Sequence, residues 1–271
     1  MRIRASVAVV TGALALTGLA VPMAHADDAK PGTWPSARSS ASAFSAGGPT
    51  FSKVAVSGGK AVAIGTTAKK TVTVSFTASD PQGIYTADAA LWRGKNLNKA
   101  DSILFSDDFE AKCGAGTTPT CKATFTIDPA LDLWDKEAGT WKVALYAMDE
   151  EANETEKASA STLNIVRAAK LTVNAAPEPV KKNKTITITG ALTRASWDSG
   201  RYVGYGAQSV KLQYLKKGSN AYTTVKTIKS DSRGNLKTTV KATADGYYRY
   251  VFAGTSSTAG STPVADYIDV R

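Results

Sequence analysis

Apolar residues in this chain recur at every second position, in short runs, from Phe51 onward. Val72, Val74 and Phe76 alternate with Thr71, Thr73 and Ser75. Tyr85, Ala87, Ala89 and Leu91 repeat the pattern, as do Ala123, Phe125 and Ile127, then Trp141, Val143 and Leu145, then Leu163 and Ile165. A period of two sends successive side chains to opposite faces, so each run fits a strand with one buried face. Valine and threonine are frequent within the runs, and Gly, Pro and Asp fall between them. One short helical turn is expected over Pro129 to Ala138, where Leu131, Leu133 and Trp134 supply apolar surface. Strands in this number over about a hundred residues predict a β-sandwich.

A second series follows a short joint, Arg167-Ala168-Ala169. Leu171 and Val173 lead, then Ile186, Ile188 and Leu192, then Val210, Leu212 and Tyr214, then the run from Tyr222 to Ile228. Asp231-Ser232-Arg233-Gly234-Asn235 is a turn, and Leu236, Thr238 and Val240 come out of it. Tyr248, Tyr250 and Phe252 follow, and Ile268 and Val270 close the series. The fold class expected is therefore all-β: two tandem sandwiches, residues 50–167 and 168–271, packed end to end with limited freedom.

Ahead of them, residues 1–26 read as a signal peptide. Arg2 and Arg4 precede a mostly apolar run from Ala5 to Val21, Pro22 breaks it, and Ala24-His25-Ala26 offers a cleavage site. Residues 27–49, rich in Ser, Ala, Gly and Pro, read as a disordered spacer interrupted by Trp34 and Phe44. The expected location is secreted and extracellular, with no second apolar run of membrane-spanning length. His25 is the single histidine of the 271-residue chain, so the processed protein lacks the side chain most used for proton transfer near neutral pH. Cys113 and Cys121, seven residues of turn-rich chain between them, are expected to form a disulfide in an oxidising compartment.

Charge is shared unevenly. Residues 168–271 hold 16 Lys or Arg against 6 Asp or Glu, whereas residues 27–167 hold 15 against 17. A basic module attached to a near-neutral one speaks to partners rather than to fold. Export and the lack of any nucleic-acid-binding motif argue against nucleic acid as that partner.

The segment Ala138-Gly139-Thr140-Trp141-Lys142-Val143-Ala144-Leu145-Tyr146-Ala147-Met148-Asp149 resembles bacterial immunoglobulin-like domains of secreted actinobacterial proteins, in which a Gly-Thr-Trp/Tyr strand leads into an Asp-containing loop. Leu171-Thr172-Val173, Gly190-Ala191-Leu192-Thr193 and Gly246-Tyr247-Tyr248-Arg249 resemble a module found in many such proteins. The resemblance spans roughly residues 50–271 and implies fold and compartment, not activity, because sandwiches host unrelated functions.

Four constellations bear on function. Asp80, Asp149 and Asn153 lie in acidic loops after two strands; such loops either bind calcium or are solvated turns. The loop Arg194 to Gln208 carries Trp197, Tyr202 and Tyr205 with Arg194 and Arg201. Its aromatics either pack on the sandwich or offer flat faces to a sugar or peptide. Lys181, Lys182, Lys184, Lys211, Lys216, Lys217, Lys226, Lys229, Lys237 and Lys241 are spread over several predicted strands as outward partners of core residues. Ser57-Gly58-Gly59-Lys60 matches a short Ser-x-x-Lys pattern but lacks its companion motifs, and nothing in the sequence places carboxylate pairs such as Asp132/Asp135 or Asp107/Asp108 across a cleft at glycosidase spacing.

The expectation is a non-enzymatic binding or adhesion protein whose basic second domain meets an anionic cell-surface or cell-wall polymer. The alternatives are a calcium-stabilised extracellular structural protein and a carbohydrate-binding module using residues 194–208.

Overall fold

The computed structural model describes residues 47–271. The signal-peptide reading of residues 1–26, Trp34 and Phe44 lie outside the described residues. The last spacer residues are already packed: Pro49 is buried, and β1 begins at Thr50.

Nine strands build the first sandwich: β1 (Thr50–Val56), β2 (Val62–Ile64), β3 (Lys70–Ser79), β4 (Ile84–Gly94), β5 (Ala100–Phe105), β6 (Lys112–Cys113), β7 (Thr120–Ile127), β8 (Gly139–Asp149) and β9 (Glu154–Arg167). One sheet runs β1-β3-β7-β6; the other runs β2-β9-β8-β4-β5. β2 is parallel to β9 and all other pairs in these two sheets are antiparallel. This is the immunoglobulin strand order, with the first strand split between the sheets. Val72, Val74 and Phe76 face Trp141, Val143 and Leu145 in one buried core, while Thr71, Thr73 and Ser75 look outward. The Cys113–Cys121 disulfide joins β6 to β7 within one sheet. The expected helical turn narrows to a 3-10 turn at Asp135–Glu137; Leu133 is buried, but Leu131 and Trp134 face solvent. That turn brings the Glu137 carbonyl to the Trp141 indole, whose Nε1 donates to it at 3.0 Å.

The second sandwich contains β10 (Ala169–Leu171), β11 (Asn174–Ala176), β12 (Thr185–Ser196), β13 (Arg201–Gly204), β14 (Ser209–Lys216), β15 (Thr223–Lys229), β16 (Asn235–Lys241), β17 (Gly246–Val251) and β18 (Asp266–Ile268). β12 is central to one sheet, with β10 and β11 on one edge and β13 and β16 on the other; the facing sheet runs β15-β14-β17-β18. Ile186, Ile188, Leu192, Val210, Leu212, Tyr248 and Tyr250 fill the space between.

The joint is more than a linker. β12 and β13 form a hairpin whose tip enters the first sandwich: Ala195 and Trp197 belong to that sandwich's core, and Trp197 is only 2% exposed. The Trp197 indole Nε1 donates to the carbonyls of Gly65 (3.0 Å) and Ile64 (3.3 Å). Asp135 holds the tip from the other side, accepting from Trp197 N at 2.7 Å and Ser196 Oγ at 2.9 Å. The buried Arg167 side chain lies 3.0 Å from the Asp135 carboxylate and donates to the Ala195 carbonyl. Its backbone is paired into the second sandwich through the Ser257 carbonyl and the Ala259 N–H.

Candidate functional site

The two acidic loops do lie at one end of the first sandwich. Asp80 and Asn153 line a broad open groove of about 940 Å³ together with Thr50, Gln82, Thr117 and Glu151. Within these loops the Asp149 carboxylate closes its own turn. Its Oδ1 accepts from the backbone N–H groups of Glu151 (2.9 Å) and Asn153 (2.8 Å), and its Oδ2 accepts from Asn153 Nδ2 (2.8 Å). Burial pushes this carboxyl up, but those hydrogen bonds outweigh it and hold it below the usual carboxylate range. The turn after β15 repeats the device in a basic setting: Asp231 accepts from Arg233 N, Asn235 N and Asn235 Nδ2. In both loops the residue before the asparagine, Ala152 or Gly234, has positive φ. Asp-x-x-x-Asn is thus a turn staple used once in each sandwich. Asp80 likewise closes its own turn by accepting from Gln82 N at 2.9 Å. Among the described residues no group of three or more His, Cys, Asp or Glu is placed to hold a metal ion.

The expected ligand loop is the joint hairpin, and this corrects the sugar-platform reading of its aromatics. Trp197 is buried in the neighbouring core, so its faces are closed to a ligand. Tyr202 packs against that core beneath the Lys170 ammonium, 4.0 Å from the ring centroid. Tyr205 meets Phe252 edge to face and carries the Arg194 guanidinium 4.0 Å above its ring. Arg201 alone of the five is exposed. Ser57 and Lys60 fall in and beside a short 3-10 turn, not on a helix.

The lysines of the second sandwich are all exposed, as their alternation with core residues predicts. Among the described residues only Lys217 of this group has a carboxylate within ion-pair distance. Most of the few acids nearby serve the fold: Asp231 closes its turn, Asp266 accepts from Ala175 N, and Asp245 accepts from Val270 N, Lys217 Nζ and Tyr267 Oη.

One face of this sandwich combines cations with aromatic rings. On the outer side of the sheet β15-β14-β17-β18, Lys211 stands beside Thr227 and Val251, and Gln213 stands beside Arg249. Arg249 Nε donates to Gln213 Oε1 at 2.9 Å, and its guanidinium lies 3.5 Å over the Tyr222 ring. Two residues back on β17, Tyr247 is paired with Tyr267 of β18, their rings 5.1 Å apart. Tyr267 Oη donates to Asp245 Oδ2 at 3.0 Å, which fixes the orientation of its ring. The Val270 hydrogen bond, with help from Lys217 and Tyr267, holds the Asp245 carboxyl below its ordinary range, so it stays ionised.

Asp88, on β4, is the acid pushed furthest up. Burial raises its carboxyl to about 6, the Ser106 and Ala89 hydrogen bonds pull it back, and Glu110 adds to the rise. A raised acid binds its proton more tightly in the folded chain, so this group's contribution to stability is present near pH 4 and lost as pH rises through about 6. Ionising it near pH 7 costs about 2–3 kcal/mol at 1.36 kcal/mol per unit. Asp88→Asn, which still accepts from Ser106 Oγ, is expected to stabilise the protein by about 1–2 kcal/mol near pH 7 and to leave it unchanged near pH 4. Urea midpoints at the two pH values check this; an equal difference at both would refute it.

No protein-family model matches the chain, and no curated protein matches it. Solved structures are similar at low identity. Dimeric latent PorU from Porphyromonas gingivalis is 13% identical over 82% of this chain, with a TM-score of 0.29, and the chain spans only 20% of that protein's length. The fibronectin(III)-like modules of Clostridium thermocellum CbhA are 13% identical, with 81% of this chain and 94% of theirs covered and a TM-score of 0.34. The Yersinia pseudotuberculosis adhesin InvE is 14% identical, with 82% of this chain and 60% of that one covered and a TM-score of 0.27.

Proposed function

We propose that this is a secreted, non-catalytic binding or adhesion protein, held to an anionic cell-surface or cell-wall polymer by its basic second sandwich. One observation carries the reading: eleven exposed lysines of that sandwich stand on a module of net charge +10, and ten of them have no carboxylate within ion-pair distance among the described residues. Such a surface concentrates polyanions by a field that salt screens. The first sandwich, near-neutral and clamped to the second through Arg167, Asp135 and Trp197, then serves as a spacer fixed in orientation. Among the described residues no helix is long and apolar enough to cross a membrane.

The test is retention of the full chain on insoluble anionic wall polymer and on a neutral polysaccharide across a salt series. Retention on the anionic polymer is expected near 0.05 M salt and is expected to fall at least tenfold by roughly 0.5 M, as the screening length shrinks well below 10 Å. Equal retention on both polymers, or none at low salt, would reject the reading.

A further inference from the structure

We propose that the outer face of the sheet β15-β14-β17-β18 is a subsite for an acidic polysaccharide, in which Arg249 grips the acidic group and the Tyr247–Tyr267 pair carries the adjoining sugar ring. This rests on the polyanion reading above and adds a place and a chemical class to it.

A diffuse lysine surface needs no built geometry, yet this face has one. Arg249 is preorganised twice, by the Gln213 amide oxygen at its Nε and by the Tyr222 ring beneath its plane. Both contacts leave the terminal N–H groups for a ligand, and among the described residues no carboxylate lies within ion-pair distance of the guanidinium. A planar fork held in this way suits a carboxylate or phosphodiester, which it binds through two parallel hydrogen bonds. Tyr247 points to the same side of β17 as Arg249, about 6.8 Å along the strand, and is 38% exposed. Its ring is steadied by Tyr267, which Asp245 and Lys217 hold in turn. Aromatic faces take the apolar C–H side of a pyranose while neighbouring polar groups take its hydroxyls. Lys211, exposed on the same face beyond Gln213, extends the positive row along β14, the direction in which a chain of acidic sugars would continue. A nucleic-acid strand would also stack and pair with cations, and it is one arm of the test.

The test uses the full chain and three soluble probes in affinity electrophoresis at about 0.1 M salt: polygalacturonate, inorganic polyphosphate and single-stranded DNA. Arg249→Lys keeps the charge and loses the fork, and is expected to weaken polygalacturonate binding about tenfold. Tyr247→Ala is expected to weaken polygalacturonate binding by a similar factor and to leave polyphosphate binding within twofold. Lys237→Ala, which removes an exposed charge on β16 of the facing sheet, is expected to change both by less than threefold. If Arg249→Lys and Tyr247→Ala leave polygalacturonate within twofold, the subsite is refuted while the basic-surface reading stands. Binding to DNA that exceeds polygalacturonate and is lost in Tyr247→Ala assigns the face to another ligand and overturns the proposal. If the unaltered protein binds none of the polyanions even at about 0.02 M salt, the function proposed above fails first. Circular dichroism of each variant separates loss of binding from loss of fold.

Discussion

Replacing Trp197 with alanine will destabilise the protein by about 3–5 kcal/mol, and the loss will fall on the sandwich to which Trp197 does not belong in sequence. The indole is buried among first-sandwich residues, so its removal leaves a cavity of aromatic size, with a cost in that range for Phe or Trp to Ala. The Gly65 carbonyl loses its indole donor as well, while the Ile64 carbonyl keeps the Ala168 N–H at 2.8 Å. Because the hairpin tip is what ties the two cores, urea unfolding is expected as a single transition in the unaltered chain. In the variant it should separate into two, with the first sandwich melting earlier. A single transition displaced by less than about 1 kcal/mol would show that the tip is a passive contact.

Asp135→Ala is expected to be nearly as damaging, for an electrostatic reason. The Arg167 side chain is 6% exposed and has Asp135 as its ion-pair partner. Burial and the neighbouring Arg194 both work against the charged form of Arg167, while Asp135 and Asp198 support it. Removing one member of such a pair strands a buried charge and costs about 3–5 kcal/mol. The same substitution also takes the acceptors from Ser196 Oγ and Trp197 N. The control is Asp135→Ala with Arg167→Met: deleting both charges is expected to recover at least about 1 kcal/mol over the single variant. Equal or greater loss in the double variant would mean that Asp135 acts through the Trp197 and Ser196 hydrogen bonds and not through Arg167.

The sandwiches themselves were legible in the sequence because their signal is local. Val72, Val74 and Phe76, or Val210 and Leu212, name their own buried face by alternation, and each is buried. The basic face was legible in part for the same reason: Lys211, lying between Val210 and Leu212, has to point outward. By that parity Tyr247 and Arg249 also had to face out once Tyr248 and Tyr250 were assigned to the core, a signal present but unused. The Tyr222 stack and the Tyr267 pair join strands far apart in the chain, and no local pattern carries that. For the hairpin, Arg194 to Gln208 specifies aromatics that either pack or bind; that they pack, and that the first core receives Trp197, is carried by no local pattern. The Asp149 loop has an acidic composition; its turn-holding role is legible only through its echo at Asp231–Asn235, where the flanking charge is basic.

The position of Trp197 in the chain has a consequence for the order of assembly. Synthesis runs from the N-terminus, so once Arg167 has emerged every strand of the first sandwich exists but its last core side chain does not. The gap closes only after another thirty residues, when the β12–β13 hairpin arrives. Until then an apolar opening at the base of the sandwich faces solvent, and anything that pauses the chain between these points prolongs that exposure. The nascent first sandwich therefore waits on a residue its own sequence does not contain, and a fragment ending at Arg167 should be more aggregation-prone than the whole.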